Sequence, residues 1–270
     1  MIGFFPDPLP DELLYSACAR YHARAGYRSR ESTGFDLFGE TRAKVAADLP
    51  CNLDTLVATF PPGHRHTADG FINRNTMLPF YSPFVPPERL SVLREDMWGD
   101  RGGAVHGRLG ILTSEIKVEV FRYCPACVED DRKAFGETYW HRLHQAPGVV
   151  VCPVHKVFLE SSSIQTRDRP NPEAFVTAES AVGVATARSV DEGDRVHRVY
   201  MRIAEDTAWL MVQHGLTSNQ IVNRDRYFCL LTDAGFSATS DSLKTGNVVQ
   251  AVGDHFSHEF LESLGCGVRE

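Results

Sequence analysis

The sequence predicts a mostly α-helical fold carrying one small inserted module rich in Cys and His. Three observations lead there. Apolar residues recur near helical spacing early and late in the chain, as in Leu14, Cys18 and Tyr21 and again in Val199, Ile203 and Leu210. No long alternating strand pattern and no internal repeat interrupts them. Residues 122–159, RYCPACVEDDRKAFGETYWHRLHQAPGVVVCPVHKVFL, hold two Cys-Pro pairs spaced C-x2-C, 24 residues, C-x2-H. The expected architecture is an N-terminal helical domain with an inserted zinc-knuckle module, followed by a C-terminal helix-turn-helix-like helical bundle.

In chain order, residues 1–10 read as a Pro-punctuated arm. Asp11 is expected to cap a helix over 11–25 that Gly26 ends. A short helical region is expected over 31–47, and another over 50–60 capped by Asn52 or Asp54. Residues 61–64 form a turn, and a helix over 68–78 stops at Pro79. TMLPFYSPFVPP (76–87) suits a packed irregular connector, and Pro87 opens a helix across 88–99. GGAVHGRLG (102–110) lacks the strand and helix setting of a dinucleotide site and reads as a close-packed turn or small-residue helix. Within the module, Glu137 to Gln145 are expected to be helical, with a hairpin-like element around the second knuckle. Residues 161–194 are Ser-, Thr-, Pro- and charge-rich and read as a linker or irregular loop. Helices resume near 195, with three more short ones after Gly and Ser breaks. The boundaries so read are 1–116, 117–160, 161–194 and 195–270.

The knuckles carry the chemistry. Two residues between ligands let a tight turn aim both side chains at one point. Cys124, Cys127, Cys152 and His155 then supply the three thiolates and one imidazole of a closed structural zinc site. His141 and His144 lie three apart beside this set, but a catalytic ion needs an open position, so they read as support or packing. Tyr139 and Trp140 read as hydrophobic support for the module. Glu129, Asp130 and Asp131 read as a solvated loop at a helix start. The remaining Cys18, Cys51, Cys229 and Cys266 have no knuckle spacing, so a reducing bacterial cytoplasm is expected. No secretory leader and no apolar run of membrane-spanning length is found.

Net charge bears on partners. With 28 Lys and Arg against 35 Asp and Glu, the chain carries −7. Phosphate neutralisation dominates non-specific DNA binding, so this balance disfavours a strong autonomous DNA binder and favours docking on proteins. Phe4, Phe5 and Pro6 form a candidate docking arm, or one tucked onto the first helix. Arg20 and Arg24, with Arg28 and Arg30, form a basic cluster for a partner or a solvated face. Arg224, Arg226 and Lys244 flank the late helical breaks, where phosphate contact is expected.

The chain resembles the TniQ/TnsD family of target-selection proteins from Tn7-like DNA transposons. The resemblance rests on FFPDPLPDELLYSACARYHARAG, NTMLPFYSPFVPPER, GGAVHGRLGI and above all on RYCPxC followed by GExYWHRxHQxPGVxVCPxH. It implies a non-enzymatic adaptor that marks an insertion site, through an attachment sequence in target DNA or an RNA-guided CRISPR effector. Such an adaptor recruits an AAA+ ATPase regulator. It implies Zn2+ on Cys124, Cys127, Cys152 and His155. Attachment-site readers of the family often continue past SLGCGVRE, so the chain reads as a fragment or as a short version that delegates target reading. Two other readings compete. One is a zinc-containing, sequence-specific DNA-binding transcription regulator, which the acidic balance disfavours. The other is a metalloenzyme with Glu137 as base, which the filled ligand shell disfavours.

Overall fold

The structure is a computed structural model, and it describes residues 1–41, 45–100, 102–109, 118–166, 175–213, 224–239, 242–243 and 245–264. Helix α1 (Leu14–Ala25) turns Leu14, Ala17, Cys18 and Tyr21 inward and ends where Gly26 takes a left-handed φ of 69°. Asp11 does not cap it. Its own φ is 55°, and its carboxylate accepts the Leu143 N–H at 2.9 Å and Arg142 Nε at 3.1 Å. Distant partners have claimed the side chain that local spacing assigned to the helix end.

Helix α2 (Arg30–Phe38) is capped by Ser29 and stopped by Gly39 in the left-handed region, so it is shorter than the 31–47 expected. Helix α3 (Leu53–Thr59) follows Asn52, which adopts φ 60° and makes no side-chain cap bond. Helix α4 (Ala68–Asn75) is capped by Thr67. It ends before Pro79, because Pro79 lies inside the first turn of the next helix, α5 (Leu78–Tyr81). Proline lacks only an N–H that the first turn does not use, so it starts that helix rather than stopping the previous one. A 3-10 turn (Ser82–Phe84) leads to α6 (Pro87–Trp98), with Pro87 at its first position as expected. The glycine-rich run forms a helix, α7 (Gly102–Leu109).

Strand β1 (Val120–Tyr123) leads into α8 (Pro125–Phe135). Residues 137–142 are not helical; a 3-10 turn covers only Leu143–Gln145. The backbone there hydrogen-bonds across the chain instead, Leu13 N–H to the Trp140 carbonyl and Arg142 N–H to the Asp11 carbonyl. Those bonds take the groups a helix would have used internally. Strands β2 (Val151–Cys152) and β3 (Val157–Phe158) make the expected hairpin. Strand β4 (Glu160–Gln165) pairs antiparallel with β1, Tyr123 opposite Glu160 and Arg122 opposite Ser161. The first knuckle follows β1 of this pair, and the second is the turn of the separate β2–β3 pair.

Within the stretch read as linker lie most of β4, helix α9 (Ala178–Ala181) and buried Phe175, Ala178 and Val190. Helix α10 (Arg195–Val212) is capped by Asp194, which accepts the Val196 and His197 N–H groups, and packs on α5, β2 and the 3-10 turn of the module. Beyond it come α11 (Arg224–Asp233), a hairpin of β5 (Ser237–Thr239) and β6 (Ser242–Leu243), α12 (Thr245–His255) and α13 (His258–Ser263). Helix α13 is held to α10 by stacking of Phe260 on Tyr200 and by Tyr200 hydroxyl contact with Ser263 Oγ at 2.6 Å. The described residues are mostly α-helical. None of their helices is long and apolar enough to cross a membrane.

One apolar core joins the helices to the module. Trp140 is fully buried, stacks on Phe121 at 4.7 Å and donates its indole N–H to the Val176 carbonyl. Ser16 of α1 accepts the Trp140 backbone N–H at 3.1 Å. The module is thus wedged against α1, and Tyr139 and Trp140 are its buried supports.

Candidate metal centre

The first knuckle is a helix start. Cys124 occupies the cap position of α8 with extended φ and ψ, Pro125 follows, and Cys124 Sγ accepts the Cys127 N–H at 3.4 Å. A thiolate there faces the positive end of the helix dipole. The second knuckle is the β2–β3 turn, closed by Lys156 N–H on the Cys152 carbonyl at 2.8 Å with Lys156 at φ 52°.

The two turns bring four ligand atoms together. Cys124, Cys127, Cys152 and His155 form the one such group among the described residues, with all four atoms within 4.8 Å of one another. His155 Nδ1 lies 3.6 Å from Cys124 Sγ, 3.3 Å from Cys127 Sγ and 3.6 Å from Cys152 Sγ. Cys127 and Cys152 sulfurs are 3.8 Å apart, too far for a disulfide at about 2.05 Å. A tetrahedron with metal bonds of about 2.3 Å to sulfur and about 2.0–2.1 Å to nitrogen has edges of about 3.8 Å and about 3.5 Å. The three His155–sulfur separations and the Cys127–Cys152 separation match those edges.

The crowded thiols also shift one another's ionisation. Hydrogen bonds from Cys124 and Cys127 hold the Cys152 thiol far below its ordinary value. Sharing with Cys124 and Cys152, together with burial, pushes Cys127 far up. Three crowded sulfurs do not all ionise without positive charge among them. The apolar cluster here contains only Cys124, Cys127, Cys152 and Val157 as buried members. Hydrophobic burial alone gives this corner little, so a metal cross-link would supply most of its cohesion.

A second layer orients the donors. Asp130 Oδ2 lies 3.0 Å from His155 Nε2, which leaves Nδ1 aimed at the sulfurs. Asp131 Oδ2 meets His141 Nε2 at 2.8 Å and accepts the Thr138 hydroxyl at 2.9 Å. His141 lies between Tyr139 and His144, ring centroids 4.2 and 4.8 Å away. Glu129, Asp130 and Asp131 lie in the middle of α8 and not in a loop at a helix start; Glu129 and Asp130 are solvent-exposed as expected, whereas Asp131 is buried. Beside the cluster a cleft of about 380 Å3 opens between the second knuckle and the end of α10, lined in part by His144, Val154, Met211 and Val212.

The other expected residues are more scattered. Phe4 and Phe5 lie on the ring of Tyr21, and Phe5 also stacks on Phe60 at 4.5 Å; Pro6 is buried. The arm is tucked onto the helices, with Phe4 40% exposed. Arg20 is interior, 3% exposed, and its guanidinium meets Glu12 through two bonds of 2.9 and 2.7 Å, the Asp7 carbonyl at 2.8 Å and Glu137 at 3.3 Å. Arg24 is half exposed and pairs with Glu137 at 2.5 Å. Glu137 thus makes its described contacts with two arginines and not with the cluster. Arg226 is exposed on α11 and Arg224 begins that helix, whereas Lys244 lies outside the described residues.

Sequence reading missed the polar residues that brace the module. Arg122 Nη1 donates to the Val149 carbonyl at 2.6 Å and Nη2 to that of Ala146 at 2.9 Å. Gln145 accepts the Arg122 N–H at 2.9 Å and donates to the Arg122 carbonyl at 2.8 Å, as a neighbouring strand would. Arg142 is nearly buried and donates to Asp11, to the Asn73 carbonyl and to the Thr76 carbonyl. An Arg and a Gln inside a motif look like surface residues until their carbonyl partners are known.

Comparison with known proteins adds two findings. The family model described as TniQ matches residues 3–159, the span that holds the N-terminal helices and the whole cluster. The Escherichia coli protein named "Transposon Tn7 transposition protein TnsD" is 32% identical over 152 residues, which is 56% of this chain. The match covers 30% of that relative's own length.

Proposed function

Because the chain belongs to the TniQ family, we propose that it is a target-site selector of a Tn7-like transposon. In this reading it is an adaptor and not an enzyme. It links a target DNA site, or an RNA-guided CRISPR effector, to the AAA+ ATPase regulator of the transposon. The family match across the helical core and the cluster carries the reading, and the similarity to a Tn7 transposition protein supports it.

The ion is zinc in this proposal. A set of three thiolates and one imidazole closes a four-ligand shell, which suits zinc in a structural role and leaves no position for substrate. Zinc there would join the α8 start to the β2–β3 turn and hold the platform around Trp140 in shape. Partner docking is assigned to the face bearing Phe4 and Arg24, with Phe5 and buried Pro6 seating the arm beneath it and Arg20 fixing α1 from inside. The C-terminal helices α11 to α13 are assigned a helix-turn-helix-like role, with Arg224, Arg226 and Lys244 toward phosphate. Exposed Tyr227 and Leu230 on α11 fit an element made for contact.

The test is co-sedimentation of this chain with the ATPase of the same transposon, with ATP, with and without DNA, after metal analysis. Nucleotide-dependent binding by a chain holding one zinc supports the adaptor reading. No binding, combined with tight and steeply salt-dependent DNA binding by the chain alone, moves the assignment to a DNA-binding regulator.

A further inference from the structure

We propose that His144 donates a hydrogen bond to the metal-binding thiolates, and that the Asp131–His141 pair positions it to do so. The inference rests on a metal occupying the Cys124, Cys127, Cys152, His155 cluster. Three thiolates and a neutral imidazole around a divalent ion leave one net negative charge. Cys124 and Cys152 are essentially without exposure, and charge held out of water needs N–H donors or it is costly.

The described donors are few. The Cys127 N–H serves Cys124 Sγ at 3.4 Å. On the other side, His144 Nε2 stands 3.9 Å from Cys127 Sγ. His144 is 3% exposed, and its Nδ1 is buried without a hydrogen-bond partner. That orphan decides the tautomer. A proton on Nδ1 would bury an unsatisfied N–H and turn the Nε2 lone pair toward sulfur lone pairs. A proton on Nε2 leaves only a bare Nδ1 and gives the sulfur its donor.

The ring is held in this pose from behind. His141 packs on it at 4.8 Å, and His141 is itself fixed by Asp131, which also takes the Thr138 hydroxyl. The two histidines of the W-H-x-x-H segment therefore have separate tasks. His144 faces the thiolates, and His141 with Asp131 is a positioning pair.

The experiment uses the full chain loaded with Co2+ as an optical stand-in. Metal stoichiometry of the unaltered chain is measured first. A chain that binds no metal overturns the metal-centre reading itself, separately from the role of His144. His144→Leu keeps bulk and removes the donor, while His144→Gln returns an N–H near the Nε2 position. The Leu variant is expected to bind metal 10- to 100-fold more weakly, as for other outer-shell partners. Its sulfur-to-cobalt charge-transfer bands should move to longer wavelength, because a thiolate without its donor is easier to oxidise. Gln should recover most of both, and His141→Phe should lose part of both. A folded Leu variant with unchanged affinity and spectrum overturns the proposal, as does equal loss in Leu and Gln. Should the Leu variant not fold, His144→Asn, whose amide reaches only the Nδ1 position, is compared with Gln. Gln tighter than Asn supports the proposal, and equal values overturn it.

Discussion

Asp11 and Arg142 are joined twice across 131 residues of chain. The Arg142 N–H donates to the Asp11 carbonyl at 2.6 Å, and Arg142 Nε donates to the Asp11 carboxylate at 3.1 Å. This clasp ties the start of α1 to the segment between the knuckles, where residues 137–142 form no helix.

Arg142→Ala should therefore be among the costly substitutions in this chain. The guanidinium is 6% exposed and serves backbone carbonyls as well as Asp11. Its loss strands several acceptors, and roughly 3–5 kcal/mol of unfolding free energy should go with it. Denaturant titration of the metal-loaded chain measures this. A loss below 1 kcal/mol would mean that the clasp is only a surface pair.

Removing a ligand should loosen the two knuckles before the helices. Cys152→Ser is expected to reduce bound metal well below one per chain. It should also speed amide exchange in β2–β3 and at the start of α8, because little apolar surface holds that corner. Hydrogen exchange followed by peptide mapping separates this from global unfolding. Uniform acceleration through α1 and α4 would show that the metal supports the whole core.

Gly148 sits at φ 79° in the Ala146–Val149 turn, which the Val149 N–H closes on the Ala146 carbonyl at 3.1 Å. A Cβ there meets nothing closer than Ile203 at 3.8 Å, so the cost of Gly148→Ala is backbone strain and not collision. About 1–2 kcal/mol is expected. Pro147→Ala, in the same turn, should cost less than about 1 kcal/mol. Thermal unfolding of both variants tests the order.

Acid sensitivity should include Glu179. Its hydrogen bond from Arg132, helped by the Thr138 N–H, holds the carboxyl below its ordinary value of 4.5. A folded-state value below the unfolded one means the contribution is complete above pH 4.5 and is lost as pH falls through the folded value. The group is 40% exposed, so solvent screens the pair and the effect should be about 0.5 kcal/mol. Stability of Glu179→Gln and the unaltered chain, followed from pH 6 to pH 3 at constant metal, should converge at the acid end. A constant gap would remove Glu179 from the acid response.

The convergence of Cys124, Cys127, Cys152 and His155 was legible because knuckle spacing is a local property. Two intervening residues aim both donors of a pair at one point, whatever the rest of the fold does. Pro87 at a helix start was legible for the same reason, since its fixed φ acts within one turn. Pro79 was misread because the same rule permits two outcomes, a stop or a start. Only the hydrogen bonding of Thr76, whose hydroxyl donates to the Ile72 carbonyl and accepts the Leu78 N–H, separates α4 from α5.

The sequence by itself determined the helical character, the Cys3His donor set and the family to which the chain belongs. Each depends on short-range spacing or on motif identity. Tertiary structure alone decided the rest: that Asp11 holds Arg142 instead of capping α1, that Arg20 lies inside against Glu12, and that Asp130 and His144 face the cluster. A charged or polar side chain has many possible partners along 270 residues, and local pattern does not rank them. The choice is made when burial removes water and leaves each donor only the acceptors within reach.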